Sequence, residues 1–113
     1  MKARVKKNEH DEITYSDLTV GHTYTILGIE GDDYRILSDE ERPYLYPTAL
    51  FEILDPTEPR DWITDYGAEG ERYSYPQELA RSGFFEDYFD RQPEVVNEFR
   101  EYLARLFRSV SAK

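Results

Sequence analysis

Between residues 22 and 54 apolar and polar positions alternate in short runs broken by turn residues, the pattern of antiparallel strands joined by tight loops. Residues 22–30 predict a first long strand in which Tyr24 and Ile26 share one face while Leu27 and Ile29 fall on the other. That change of parity around Gly28 predicts a bulge or a bend, because glycine tolerates the local backbone. Gly31-Asp32-Asp33 is a turn, residues 34–38 pair back as a second strand, and residues 39–42 form the next polar turn. Residues 43–46 give a short strand whose Pro43 cannot donate to a ladder, which places it at a strand start or a sheet edge. Residues 47–50 predict a single 3₁₀ turn, and residues 51–54 a strand ended by Asp55-Pro56.

Two prolines stiffen residues 55–61 into a connection. Residues 62–66 and 71–75 then read as aromatic strands around a Gly-bearing loop, a second hairpin. Residues 76–83 suit one helical turn or a loop with Gly83 as its stop. In residues 83–90 the pairs Phe85/Phe89 and Glu86/Asp90 are each four apart, so a helix there carries one aromatic and one acidic stripe. The last helix starts after Asp90, with Val96, Phe99, Leu103, Leu106 and Val110 on its apolar face. Glu101 and Arg105 offer a pair at i,i+4, and Arg105, Arg108 and Lys113 suit the negative end of the helix dipole. Residues 1–12 show Ala3 and Val5 between charges and no periodicity, and are expected to be a disordered basic tail. One domain over residues 13–113 is expected: a barrel (13–55), a hairpin and loop extension (56–82) and a helical part (83–110).

The run from Tyr44 through Pro47 to Leu54 joins an aromatic strand, a proline, one 3₁₀ turn and a last apolar strand. It resembles the end of an SH3 domain, and Leu18, Gly21 and Tyr24 resemble the start of bacterial SH3-like barrels. The resemblance spans roughly residues 13–55 and implies an SH3-like antiparallel small barrel. The Ala-Leu-Tyr-Asp-Tyr segment and the tandem Trp of peptide-binding SH3 domains are missing, while Tyr44, Tyr46 and Pro47 stand where that family uses aromatic and proline groove residues. The expected fold class is therefore mainly β with a C-terminal helix, α+β.

The chain has 113 residues and a formal charge of −10, enough for one small acidic domain. Leu, Ile, Val and Phe make up 26 residues, above the level of about 20% below which disorder is expected, and 17 aromatics add burial area. Without cysteine there is no disulfide framework, thiol nucleophile or Cys-ligated zinc, which fits a reducing cytosol and a cytoplasmic location. No apolar run approaches a membrane span, and the basic start lacks the apolar stretch of a signal peptide. Residues 1–10 carry +3, residues 91–113 carry +2 and residues 11–90 carry −15. An acidic body of that kind repels phosphate backbones and steers basic partners, so a protein with a basic surface is the expected partner, without direct nucleic-acid or membrane binding.

Glu86, Asp87 and Asp90 are the densest carboxylates, with Asp32 and Asp33 next; the solvated face of a helix and a hairpin turn account for them without chemistry. His10 and His22 have no partner at metal-ligand spacing, and no nucleophile elbow, phosphate loop or zinc-protease motif occurs, so no catalytic residue, cofactor or metal is assigned. Not all of Tyr44, Tyr46, Trp62, Tyr66, Tyr73 and Tyr75 can be buried on short strands. An aromatic patch of Tyr44, Tyr46, Trp62 and Tyr66 rimmed by Asp32, Asp33, Glu86, Asp87 and Asp90 would bind protein. The leading expectation is a non-catalytic interaction module, in concrete form an immunity or antitoxin-like inhibitor of a basic nuclease or toxin. The alternative is a phage- or plasmid-type nucleic-acid mimic, which requires a linear array of acids over about 20 Å or more. A small carboxylate-dependent enzyme stands third.

Overall fold

Residues 23–55 form the succession of strands that the alternation predicts. The computed structural model describes residues 1–111, with side chains as far as residue 108, and divides into two compact units, Met1–Pro76 and the part from Gln77 onward. In the first unit the strands are β1 (Lys2–Val5), β2 (Glu9–His10), β3 (Ile13–Thr14), β4 (Thr23–Glu30), β5 (Asp33–Leu37), β6 (Pro43–Pro47), β7 (Phe51–Asp55), β8 (Trp62–Tyr66) and β9 (Arg72–Pro76), with a 3₁₀ turn at Thr48–Leu50. All pairings are antiparallel. One sheet runs in the order β6-β5-β4-β1-β7, and β9 joins it by pairing with β4 on one side and β8 on the other; β2 and β3 form a separate small hairpin. Among the described residues no pairing joins β6 to β7, so strand hydrogen bonds do not close a barrel.

The expected tail is corrected. Lys2-Ala3-Arg4-Val5 lies between β4 and β7, with Ala3 and Val5 at 0% exposure in the core beside Ile26, Ile36, Leu50 and Phe51. No periodicity is legible in the sequence here because the alternation is two small apolar residues long and surrounded by charge. Order therefore begins eleven residues before Ile13.

β4 is the hub of the sheet: its first half pairs with β1, its second half with β9, and β5 lies along the opposite edge. The predicted irregularity falls between Ile26 and Gly28, where the register with β5 slips. Cross-strand partners share a face, so Ile26 opposite Ile36 and Ile29 opposite Tyr34 both look into the core. The slip thus returns Ile29 to the face of Tyr24 and Ile26, correcting the expectation that it lies opposite. Gly28 serves a second end. A Cβ placed there would come within 2.1 Å of the Tyr75 ring, so the β9 tyrosine packs flat where any other residue would stand. Gly28→Ala is expected to cost about 1–3 kcal/mol by overpacking, read as a shift of the urea unfolding midpoint at unchanged slope.

In the second unit a 3₁₀ turn (Gln77–Leu79) precedes α1 (Phe84–Phe89) and α2 (Pro93–Ser111). Gly83 does not stop a helix. At φ 78° it stands at the N-cap of α1, a left-handed position open to glycine without strain. Val95 and Phe99 are buried on α2, whereas Val96, Leu103 and Leu106 are half-buried, so Phe99 keeps its predicted inward place and Val95 takes the one predicted for Val96. The Val110 side chain and Lys113 lie outside the described residues. Phe99 meets the rings of Phe84, Phe85 and Tyr88 edge to face at centroid distances of 6.4, 5.8 and 5.1 Å. Arg105 pairs with Glu78 at 3.9 Å, in place of the predicted Glu101.

Candidate functional site

Strand register alone assembles a row of polar side chains on the sheet face opposite the core. Asp65 on β8 stands opposite Tyr73 on β9, Tyr73 opposite Glu30 on β4, Glu30 opposite Asp33 on β5, and Asp33 opposite Pro47 on β6. With strands about 4.8 Å apart, the three carboxylates span about 14 Å. Asp65 and Tyr73 are exposed, Glu30 and Asp33 half-buried.

Behind this row the buried Arg35 and Tyr75 meet the half-buried Glu30. Arg35 donates from Nη2 to Glu30 Oε2 at 2.8 Å, from Nε to the Tyr75 hydroxyl at 3.0 Å and from Nη1 to the Pro43 carbonyl at 2.9 Å, while the Tyr75 hydroxyl donates to Glu30. Burial, more than any neighbour, pushes the Tyr75 pKa up. These bonds tie β4, β5, β6 and β9 together and engage one Glu30 oxygen, Oε2. Asp33 is less well served. Partial burial raises its pKa, the charges of Asp32 and Glu30 raise it further, and Arg35 opposes them without prevailing. Asp39, in contrast, accepts from Thr19 Oγ1 and the Tyr24 hydroxyl at 2.6 Å each, and these bonds hold its pKa below the usual value.

The Asp33 end of the row opens into a groove of about 320 Å³ between the β2–β3 hairpin, the β4–β5 turn and the 3₁₀ turn after β6. Asp11, Asp32 and Asp33 supply its negative charge; Tyr15, Ile13 and Pro47 supply its apolar walls. His10 lies at its edge with Nε2 3.3 Å from Asp11. Asp11 and Glu12 both take positive φ, 49° and 67°, the double left-handed turn that a two-residue hairpin needs. Asp-Glu does not announce such a turn as Asn-Gly would, so the sequence hid this wall.

No family model, curated protein or solved structure matches the chain. The site therefore stands on its own geometry.

Of the predicted site residues, Asp32 and Asp33 belong to this groove, with Asp32 exposed. Tyr46 is corrected: at 2% exposure it is core, its hydroxyl donating to Asp17 and its ring edge-on to Tyr15 at 5.7 Å. Trp62 is half-buried and packs on the core cluster, so its removal would cost folding as well as binding. Tyr44 and Tyr66 are 41% and 70% exposed, but they sit on β6 and β8, opposite edges of the β8-β9-β4-β5-β6 stretch, and four register rows apart. The four aromatics do not form one patch. Glu86, Asp87 and Asp90 belong to the second unit, where Arg81 pairs with Asp87 at 3.2 Å and Asp90 caps α1. Within the first unit Asp65, Tyr73, Glu30, Asp11 and Tyr15 are the residues gathered around Asp32 and Asp33. Among the described residues no three His, Asp or Glu side chains are disposed to hold a metal ion.

Proposed function

We propose that this chain is a non-catalytic acidic interaction module, an SH3-like small barrel extended by a hairpin and a C-terminal helix, that docks a protein with a basic surface. The observation that carries the reading is the row Asp65, Glu30 and Asp33 running into a groove that adds Asp11 and Asp32 to apolar walls. The strand order β6-β5-β4-β1-β7 with a 3₁₀ turn between β6 and β7 supports the barrel part of the proposal. A concrete form is an immunity or antitoxin-like inhibitor covering a cationic nuclease or toxin site, since a surface built to attract nucleic acid is best met by concentrated negative charge. A row of about 14 Å, aromatic in its middle, supports such an inhibitor over a nucleic-acid mimic, which needs about 20 Å or more of regularly spaced acid.

A carboxylate held for binding costs stability, and Asp33 has that signature. Its raised pKa means that the charged form subtracts from folding above the folded pKa, and that the cost disappears as pH falls below the unfolded value of about 3.9. Asp33→Asn is therefore expected to raise the thermal midpoint at pH 7, by a few degrees at most, and to bring no gain near pH 3. In parallel, the immobilised full chain and its Asp32→Asn/Asp33→Asn variant are exposed to lysate of the source organism and washed with rising salt. The expected result is a basic protein, identified by mass spectrometry, held by the wild type, released by salt and lost from the variant. A neutral or acidic protein retained by both through high salt overturns the reading.

A further inference from the structure

In the seven-stranded sheet three strands leave one edge unpaired among the described residues: β6, β7 and β8. Unpaired edges invite other chains, and proteins usually blunt them with proline, bulges or charge. β6 begins and ends with proline, Pro43 and Pro47. β7 slips register against β1 between its pairings at Ile53 and Asp55, and its Glu52 is tied to Arg4. β8 has no proline and no slip: its five residues pair with β9 in unbroken register, and Asp65 is its one charged residue.

The hydrogen-bonding sense of β8 follows from its neighbours. The Arg72 carbonyl accepts from Gly31 N–H at 2.7 Å and so faces β4, while the Glu71 carbonyl accepts from Gly67 N–H at 2.8 Å across the hairpin. Backbone groups alternate in direction along a strand, so Tyr73 and Tyr75 bond β8 through Asp65 and Ile63. Trp62, Thr64 and Tyr66 then point outward. Trp62 N–H is taken by the Pro59 carbonyl at 3.2 Å, which leaves the N–H and C=O groups of Thr64 and Tyr66 at the open edge. The short Thr64–Ser74 hydroxyl contact, 2.9 Å, fits the closer spacing of a non-hydrogen-bonded pair.

Residues 61–71 carry Asp61, Asp65, Glu69 and Glu71 and no basic side chain. Asp65 has the same parity as Ile63, which is 43% exposed, and Asp61 lies in the turn that leads into the strand, where Trp62 N–H meets the Pro59 carbonyl. We propose that β8 is a strand-addition site for an extended segment of a partner protein, one that sets two basic side chains against Asp61 and Asp65 and an apolar one against Ile63. Backbone bonds to Thr64 and Tyr66 supply affinity, and the acid-apolar-acid spacing supplies the choice of partner. A second copy is a poor occupant, because it brings another −10 of charge and its own four hairpin carboxylates to the same edge. The inference goes beyond the groove and has its own test.

The probe is the capped peptide Thr-Lys-Thr-Val-Thr-Lys-Thr, titrated into the full-length chain while amide hydrogen exchange is followed by NMR. The expected result is saturable binding that slows exchange at Thr64 and Tyr66 by about tenfold or more and weakens in about 0.5 M salt. The same peptide with glutamate for lysine leaves exchange unchanged. Thr64→Pro and Tyr66→Pro each delete one outward N–H without touching the β8–β9 ladder, and each abolishes the protection; a thermal melt of each variant shows which of the two to read. The Asp32→Asn/Asp33→Asn variant keeps the protection, so failure of the groove leaves this result standing. The proposal is overturned by no saturable binding at about 1 mM peptide, by protection mapping to β6, β7 or the groove, or by equal binding of the glutamate peptide. It is equally overturned by a dimer in sedimentation whose β8 amides are protected without peptide.

Discussion

Deleting residues 1–6 is expected to leave the first unit without a stable fold. β1 has a partner on both sides, β4 and β7, and its two inward side chains have no exposed surface. Its loss strips β7 of its one strand partner and opens the cluster formed by Leu18, Ile26, Ile36, Leu50 and Phe51. A milder form of the test is Ala3→Asp, which places an unpaired charge at a site of 0% exposure and should cost more than about 4 kcal/mol. Urea unfolding followed by the Trp62 fluorescence reads both, since Trp62 packs on the same cluster. If residues 1–6 were a solvated tail, either change would stay within about 0.5 kcal/mol. Such a result would remove β1 from the sheet.

Phe99→Ala is the second large effect, expected at about 3–5 kcal/mol against the second unit. The side chain is 2% exposed and touches three rings edge to face, each contact adding to plain burial. Helix loss by far-ultraviolet circular dichroism in a urea series measures it. A companion pair locates the inward face: Val95 is buried and Val96 half-buried, so Val95→Ala should cost clearly more than Val96→Ala. Equal costs would return Val96 to an inward place equal to that of Val95.

The hairpins were legible because their signals are local. Alternation between Gly31-Asp32-Asp33, residues 39–42 and Pro47 marks β4 to β7, and the aromatic runs around Gly67 and Gly70 mark β8 and β9. The bulge at Gly28 was legible as a parity change, though its result, Ile29 turned back into the core, required the partner strand. β1 was not legible, because Ala3 and Val5 acquire their role through partners about 20 and 50 residues away in sequence. The candidate site was half legible. Asp32 and Asp33 stood out as adjacent acids in a turn, whereas Asp65, Tyr73 and Glu30 become neighbours only through register, and Asp11 only through a hairpin turn made without glycine. Tyr46 failed as a site residue for a related reason: composition counts tyrosines but does not say which hydroxyl finds an acid such as Asp17 at the edge of the core.

The place of β1 between β4 and β7 also sets an order of events on the ribosome. β1 is translated about fifty residues before β7, the strand that must lie against it. At roughly 5–20 residues per second, that leaves several seconds in which β1 has at most its β4 edge satisfied. Lys2, Arg4, Lys6 and Lys7 keep the waiting segment strongly cationic. Charge therefore disfavours pairing of one waiting β1 with another before residue 55 has emerged, through the same side chains that later belong to an inner strand of the sheet.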